Sequence, residues 1–221
     1  DGDADTGMDL YENRVSLGHK NAGPIIITDL DAYDSTQDDP SMLFNATAGS
    51  PNTLVVEAGN ELHLRTTETF APGGTVTTPK MHVKGIYTGS TETLTLNGTG
   101  ATTARPLYID GGTFTPTSNT TTFTGAGATD IQNATYNNLQ LYPSAGTETY
   151  TLMVGTFTIN GNLDVNNGAA LTVDVDTNDP AIDLVGNLTM GTTTTWTASA
   201  SAAFTFKPTG TKTWIDNGVT K

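Results

Sequence analysis

Asp1, Asp3, Asp5, Asp9 and Glu12 fall at positions 1, 3, 5, 9 and 12 of a calcium-loop pattern. In such a loop alternate carboxylates supply most of the roughly six to eight oxygens that a hard calcium ion takes. The sharp turn of that pattern needs glycine at its sixth place, where this chain has Thr6 with Gly7 one position late, so the expectation is an irregular calcium loop rather than a helix-loop-helix hand. A second set, Asp174, Asp176, Asn178, Asp179 and Asp183, gathers around Pro180. In a strand its alternate acids share the face opposite Val173 and Val175, where like charges repel unless a cation or counter-charge lies between them. Both sets are expected metal ligands with calcium as the cofactor. The plainer reading of each is a solvated acidic surface that discourages unwanted strand pairing.

Other chemistry is sparse. His19, His63 and His82 are far apart and sit in no metal-ligand spacing, so a surface role is expected for each. There is no cysteine and no Gly-x-Ser-x-Gly turn, hence no recognisable nucleophile. No pair among the 23 acids is marked for glycoside cleavage, and the expectation is that the chain is not an enzyme. A calcium-dependent polysaccharide lyase is the weakest alternative, because its basic catalytic residue would have to come from Arg14, Arg65, Arg105 or six lysines. Trp196, Trp214, Tyr136, Tyr142 and Tyr150 are the candidates for a sugar-stacking platform in a carbohydrate-binding or adhesin module, set against ordinary packing roles. Lys80, His82 and Lys84 alternate with Met81 and Val83 to make a basic strand face in an acidic chain, fit to receive an acidic segment of a neighbouring subunit. Five Asn-x-Thr sequons, at Asn45, Asn97, Asn119, Asn133 and Asn187, permit glycosylation without requiring it.

The elements that would position these residues are strands. Only 14% of the 221 residues are charged, against about 25% in ordinary domains, and the polar surface comes instead from 45 threonines with Asn, Ser and Gly. Threonine is β-branched and suits a pleated, half-solvated surface. Short segments alternate apolar and polar residues, as in Leu94/Leu96, Leu139/Leu141, Phe157/Ile159, Leu163/Val165 and Leu188/Met190, a period of two that belongs to strands. No window shows helical periodicity, so almost no helix is expected. The net charge of −14 excludes a nucleic-acid footprint and disfavours anionic membranes, and no apolar run approaches the ~20 residues of a membrane span.

Strand signals every 8 to 12 residues or so mean a solenoid, a barrel or a sandwich. Gly161-Asn162-Leu163-Asp164-Val165 returns as Gly186-Asn187-Leu188-Thr189-Met190, and Leu96-Asn97-Gly98-Thr99-Gly100 is echoed by Phe123-Thr124-Gly125-Ala126-Gly127 and loosely by Phe206-Lys207-Pro208-Thr209-Gly210. Spacings in the mid-twenties fit one turn of a three-faced parallel β-solenoid. Against this, Asn-Gly at Asn97, Asn160, Asn167 and Asn217 is a hairpin signal that keeps an antiparallel β-sandwich or jelly roll open, with Phe157 to Val165 as a candidate hairpin.

The stretches Thr122 to Asn133, Asn138 to Leu141, Gly161 to Val165 and Gly186 to Met190 resemble the "TFTGxGxQxI…NLxL" and "GNLTV" halves of Thr/Gly/Asn-rich β-helical repeat proteins of bacterial and archaeal cell surfaces and extracellular fibres. The resemblance covers about residues 90 to 221. It implies a secreted, β-helical cell-surface or fibre protein and supplies no catalytic residues. The expected organisation is an acidic β segment or small module over 1–80 and a repeat-like solenoid over 81–221. Beginning at Asp1 rather than Met suggests removal of a leader or precursor. The function expected is that of an extracellular structural subunit that forms a homo-oligomer or homopolymer through its β edges, with calcium stiffening it and glycan as a possible partner.

Overall fold

Two-residue alternation decides which atoms go inside. Leu94 and Leu96 are fully buried while the alternating Thr93 and Thr95 stay half-exposed, and the same in-out pattern marks Leu139/Leu141, Leu163/Val165 and Leu188/Met190. A strand that is apolar on one side and threonine-rich on the other needs a partner for its apolar side. Here that partner is the rest of the same coil and the coils above and below it. The computed structural model describes residues 54–217, apart from 57, 59–60, 65, 67–68, 73 and 166–167, together with Thr53 and the backbone of Val15–Ser16, Pro24–Ile27 and Met42–Leu43.

The chain winds into a parallel β-solenoid of about seven turns over residues 54–215. Each turn lays one strand on each of three faces. The first face is a continuous nine-stranded sheet: Pro24–Ile27, Thr53–Val56, Thr75–Thr78, Thr93–Leu96, Thr120–Phe123, Asn138–Leu141, Leu163–Val165, Leu188–Met190 and Trp214–Ile215. The second face is a three-stranded sheet of Leu62–Leu64, Met81–Val83 and Leu107–Ile109, followed by a four-stranded one of Thr129–Ile131, Thr147–Leu152, Ala170–Asp174 and Thr194–Thr197. The third face divides at the same level, into Thr69–Phe70, Ile86–Gly89 and Thr113–Pro116, then Thr135–Tyr136, Thr156–Ile159, Ala181–Leu184 and Ala203–Phe206. At about 4.8 Å per strand spacing seven turns make a rod on the order of 34 Å long.

Every strand pair among the described residues is parallel, which overturns the sandwich alternative. It also overturns the Phe157–Val165 hairpin: Thr156–Ile159 pairs with Ala181–Leu184, whereas Leu163–Val165 pairs with strands of the first face. Asn160-Gly161 turns a corner between faces instead of reversing the chain. The lone helical element among the described residues is a single 3-10 turn, Thr102–Ala104.

Turn length varies. Leu54 pairs with Val76, Val76 with Leu94, Leu94 with Thr121, Thr121 with Leu139, Leu139 with Leu163, Leu163 with Leu188 and Leu188 with Trp214, giving turns of 22, 18, 27, 18, 24, 25 and 26 residues. The 27-residue turn explains the division of the second face. It inserts the 3-10 turn ahead of Leu107–Ile109, so Gly100 rather than that strand bridges to Thr129 in the next coil.

The repeated Gly-Asn-Leu segments stack directly, Leu163 on Leu188 and Val165 on Met190. Asn138 Oδ1 accepts from the Asn162 amide at 2.9 Å, Asn162 Oδ1 accepts from both the amide and Nδ2 of Asn187 at 3.0 Å, and Asn187 Oδ1 accepts from the Thr213 amide at 2.9 Å. An asparagine ladder thus ties four consecutive coils at the corner entering the first face. Glycine precedes it because the coils approach closely there: a Cβ on Gly186 would lie 2.0 Å from the Gly161 carbonyl oxygen. The Leu96 and Phe123 repeat is likewise in register. The looser echo at Phe206 is not, since Phe206 lies over Leu184 on the third face.

Inside the third face runs a column of rings, Phe70, Tyr87, Phe114, Tyr136 and Phe157, with successive centroids 6.2, 4.9, 6.0 and 6.4 Å apart. Buried phenols need partners. Tyr87 Oη donates to Glu92 at 3.0 Å and Tyr136 Oη to the Gln132 carbonyl at 2.6 Å, while Tyr150, on the second face, donates to the Gly125 carbonyl at 2.7 Å. Burial pushes all three phenols well above their ordinary value, and the Glu92 and Glu148 charges push Tyr87 and Tyr150 further.

Candidate functional site

Among the described residues, the outward positions of the second face gather a cluster of ionisable groups. Leu62-His63-Leu64 and Met81-His82-Val83 bury their apolar residues, so both histidines project outward, and parallel register sets His63 against His82 and His82 against Tyr108. The imidazoles stack with centroids 4.2 Å apart and planes 15° from parallel; Tyr108 lies against His82 at 4.7 Å with the rings tilted by 34°, and Arg105 covers Tyr108 at 4.9 Å.

Carboxylates flank this ladder. Glu61 Oε1 faces His63 Nδ1 at 3.6 Å and His82 Nδ1 at 3.7 Å, while its Oε2 accepts from Lys80. Asp110 Oδ2 lies 3.3 Å from His82 Nε2 and 3.5 Å from Lys84 Nζ. Burial pulls the Glu61 carboxyl up, but the Lys80 hydrogen bond and charge and the two imidazoles outweigh it and hold it below the ordinary value. Lys80, His82 and Lys84 do form one basic strand face, and acids of the adjacent coils of the same chain already neutralise it. Glu61, His63 and His82 have ligand atoms within 4.8 Å of one another, the one such group among the described residues. Sequence spacing missed it because the histidines are one solenoid turn apart. The available signal was the paired pattern Leu-His-Leu and Met-His-Val, legible only once the turn length is known.

The acidic sets fare differently. Asp1, Asp3, Asp5, Asp9 and Glu12 lie outside the described residues, as does His19. Asp174 ends its strand by capping the following turn: its carboxylate accepts from the Asp176 amide at 3.0 Å, the Thr177 amide at 3.1 Å and Thr177 Oγ1 at 2.6 Å. Burial pulls the Asp174 carboxyl up, but these bonds and one from Thr197 together outweigh it and bring it below its ordinary value. Asn178 donates to the Leu152 carbonyl at 3.1 Å, Asp179 accepts from Ser199, and Asp183 pairs with Lys207 at 2.7 Å on another face. The set is therefore spread over a corner and two strands, and each of these four groups has a partner within the chain.

Of the aromatic candidates, Tyr136 and Tyr150 are wholly buried, Tyr142 is half-buried, Trp196 packs on Phe204, and Trp214 is exposed. Among the sequons, Asn119 is buried with its Nδ2 on Tyr87 Oη, Asn187 belongs to the ladder, and Asn97 sits on an exposed corner.

The last described turn differs from those below it. Trp196 lies over Val173, Phe204 over Ile182, Phe206 over Leu184 and Trp214 over Leu188. The lower member of each pair is at most 3% exposed, whereas Trp196, Phe204 and Phe206 are half-buried and Trp214 is 55% and Ile215 42% exposed. No helix among the described residues is long and apolar enough to cross a membrane. No protein-family model, curated protein or solved structure matches the chain.

Proposed function

We propose that the chain is an extracellular structural subunit that assembles head to tail, one solenoid end stacking on the opposite end of a second copy to extend the same sheets. The observation that carries this reading is the apolar last turn. Trp196, Phe204, Phe206 and Trp214 are each more exposed than the residue one turn below, which is the state of a coil awaiting another coil. Pro24–Ile27 is the opposite edge strand of the same nine-stranded sheet, and parallel pairing between the two edges continues the pattern already present.

Charge favours that direction of assembly. Residues 1–45 hold ten acids and two bases, a net −8, whereas residues 206–221 hold three lysines and one aspartate, a net +2. Opposite charge in the two terminal segments of the sequence favours head-to-tail over head-to-head association. Calcium, bound by the acidic residues near Asp1, is the ion expected to stiffen the assembly. The test is light scattering and negative-stain microscopy across protein concentration, salt, calcium and chelator. Filaments or ordered oligomers that shorten in high salt and vanish in Trp214→Asp support the reading. A monomer at every concentration, with or without calcium, refutes it.

A further inference from the structure

The stacked histidine pair on the second face has the makings of a metal centre, and we propose that Glu61 Oε1, His63 Nδ1 and His82 Nδ1 bind a borderline divalent transition ion such as zinc, with water completing its coordination. This does not depend on the assembly reading. Two imidazoles and one carboxylate are the donor set that such ions prefer, and one hard oxygen is too few for calcium. Bonds of about 2.0–2.2 Å at tetrahedral angles place ligand atoms roughly 3.3 Å apart. The carboxylate oxygen already lies 3.6 and 3.7 Å from the two nitrogens, and all three ligand atoms fall within 4.8 Å of one another. The two rings are nearly parallel, so their in-plane lone pairs run side by side, and binding requires both rings to rotate toward the ion.

The surrounding groups prepare these atoms for ligation. Asp110 faces His82 Nε2 at 3.3 Å, which places the proton on that nitrogen and leaves Nδ1 with the lone pair, the carboxylate–histidine arrangement that orients metal-binding imidazoles. Lys80 occupies Glu61 Oε2 and so leaves Oε1 for the ion. The carboxyl is held in its charged form at neutral pH. All three residues are half-buried. Because Glu61 and His63 belong to one turn and His82 to the next, an ion there would clamp two coils together.

The test uses the full chain and the metal alone. Titration with zinc chloride by calorimetry, in excess calcium, should show one saturable site. His63→Gln and His82→Gln should each weaken it at least about tenfold, and Asp110→Asn by about tenfold. His19→Ala should leave it unchanged, since His19 is the third and last histidine and the chain has no cysteine. Copper(II) spin resonance on the unaltered chain should show two nitrogen ligands, a readout that survives if a variant misfolds. Absence of zinc binding at millimolar concentration, a copper spectrum without nitrogen coupling, or binding lost in His19→Ala but kept in His82→Gln would overturn the proposal.

Discussion

Asn162→Ala removes the middle rung of the asparagine ladder. Its Oδ1 accepts two bonds of 3.0 Å, from the amide and the side chain of Asn187. A hydrogen bond is worth about 1 kcal/mol net, and an abandoned half-buried donor costs at least as much, so the loss is about 2 kcal/mol. In a stack where each turn touches only its neighbours, that loss stays local. Since about 1.4 kcal/mol is a factor of ten, the Asn187 amide should exchange with solvent roughly 30-fold faster. Amides near Val83, several coils away, should keep their rates. Asn162→Asp retains the accepting oxygens and should protect the Asn187 amide to within a few-fold of the parent. Hydrogen exchange resolved by residue checks this. Unchanged exchange at Asn187 in the alanine variant, or equal loss in both variants, would refute the view that these side chains hold the coils in register.

Gly186→Ala should destabilise the stack by about 1–3 kcal/mol, because the new Cβ meets the Gly161 backbone oxygen at 2.0 Å, whereas Gly210→Ala, with nothing within 4 Å, should be near neutral; urea midpoints of the pair decide it, and equal midpoints contradict the close-approach account. Alkali should unfold the protein through Tyr87, Tyr136 and Tyr150, whose folded phenols are held above the ordinary value by burial. A raised folded value means stability intact below about pH 10 and lost as pH climbs toward the folded value, with a slope approaching about 4 kcal/mol per pH unit for three protons. Tyrosinate absorbance should rise together with loss of the strand signal in circular dichroism; ionisation of all seven tyrosines at ordinary pH with the fold intact would rule this out.

Much of the architecture was legible because solenoid packing repeats a local rule. The strands at Leu94/Leu96, Phe157/Ile159, Leu163/Val165 and Leu188/Met190 sit where alternation placed them, and the Gly-Asn-Leu repeat stacks on itself. Val154, two residues after the buried Leu152, does not continue its inner row: it lies beyond the strand end, 64% exposed, beside Gly155 at φ +118°. The Asn-Gly at Asn160 was ambiguous, since the same dipeptide serves a hairpin or a corner. The acids around Pro180 alternated in sequence, yet a corner and a change of face separate them. Conversely His63 and His82 had no meaningful spacing until one turn was known to bring them together.

Composition and two-residue periodicity by themselves determined that this chain is all β, that its inner rows are Leu, Val, Ile and aromatic rings, and that its outer rows are threonine-rich. Those follow from the alternation of side chains along any strand and the cost of leaving apolar rows in water. Tertiary structure alone decided the parallel register, the turn lengths of 18 to 27 residues, and therefore which outward side chains meet across coils. Such meetings depend on how many residues each corner consumes, a quantity that local propensity does not encode.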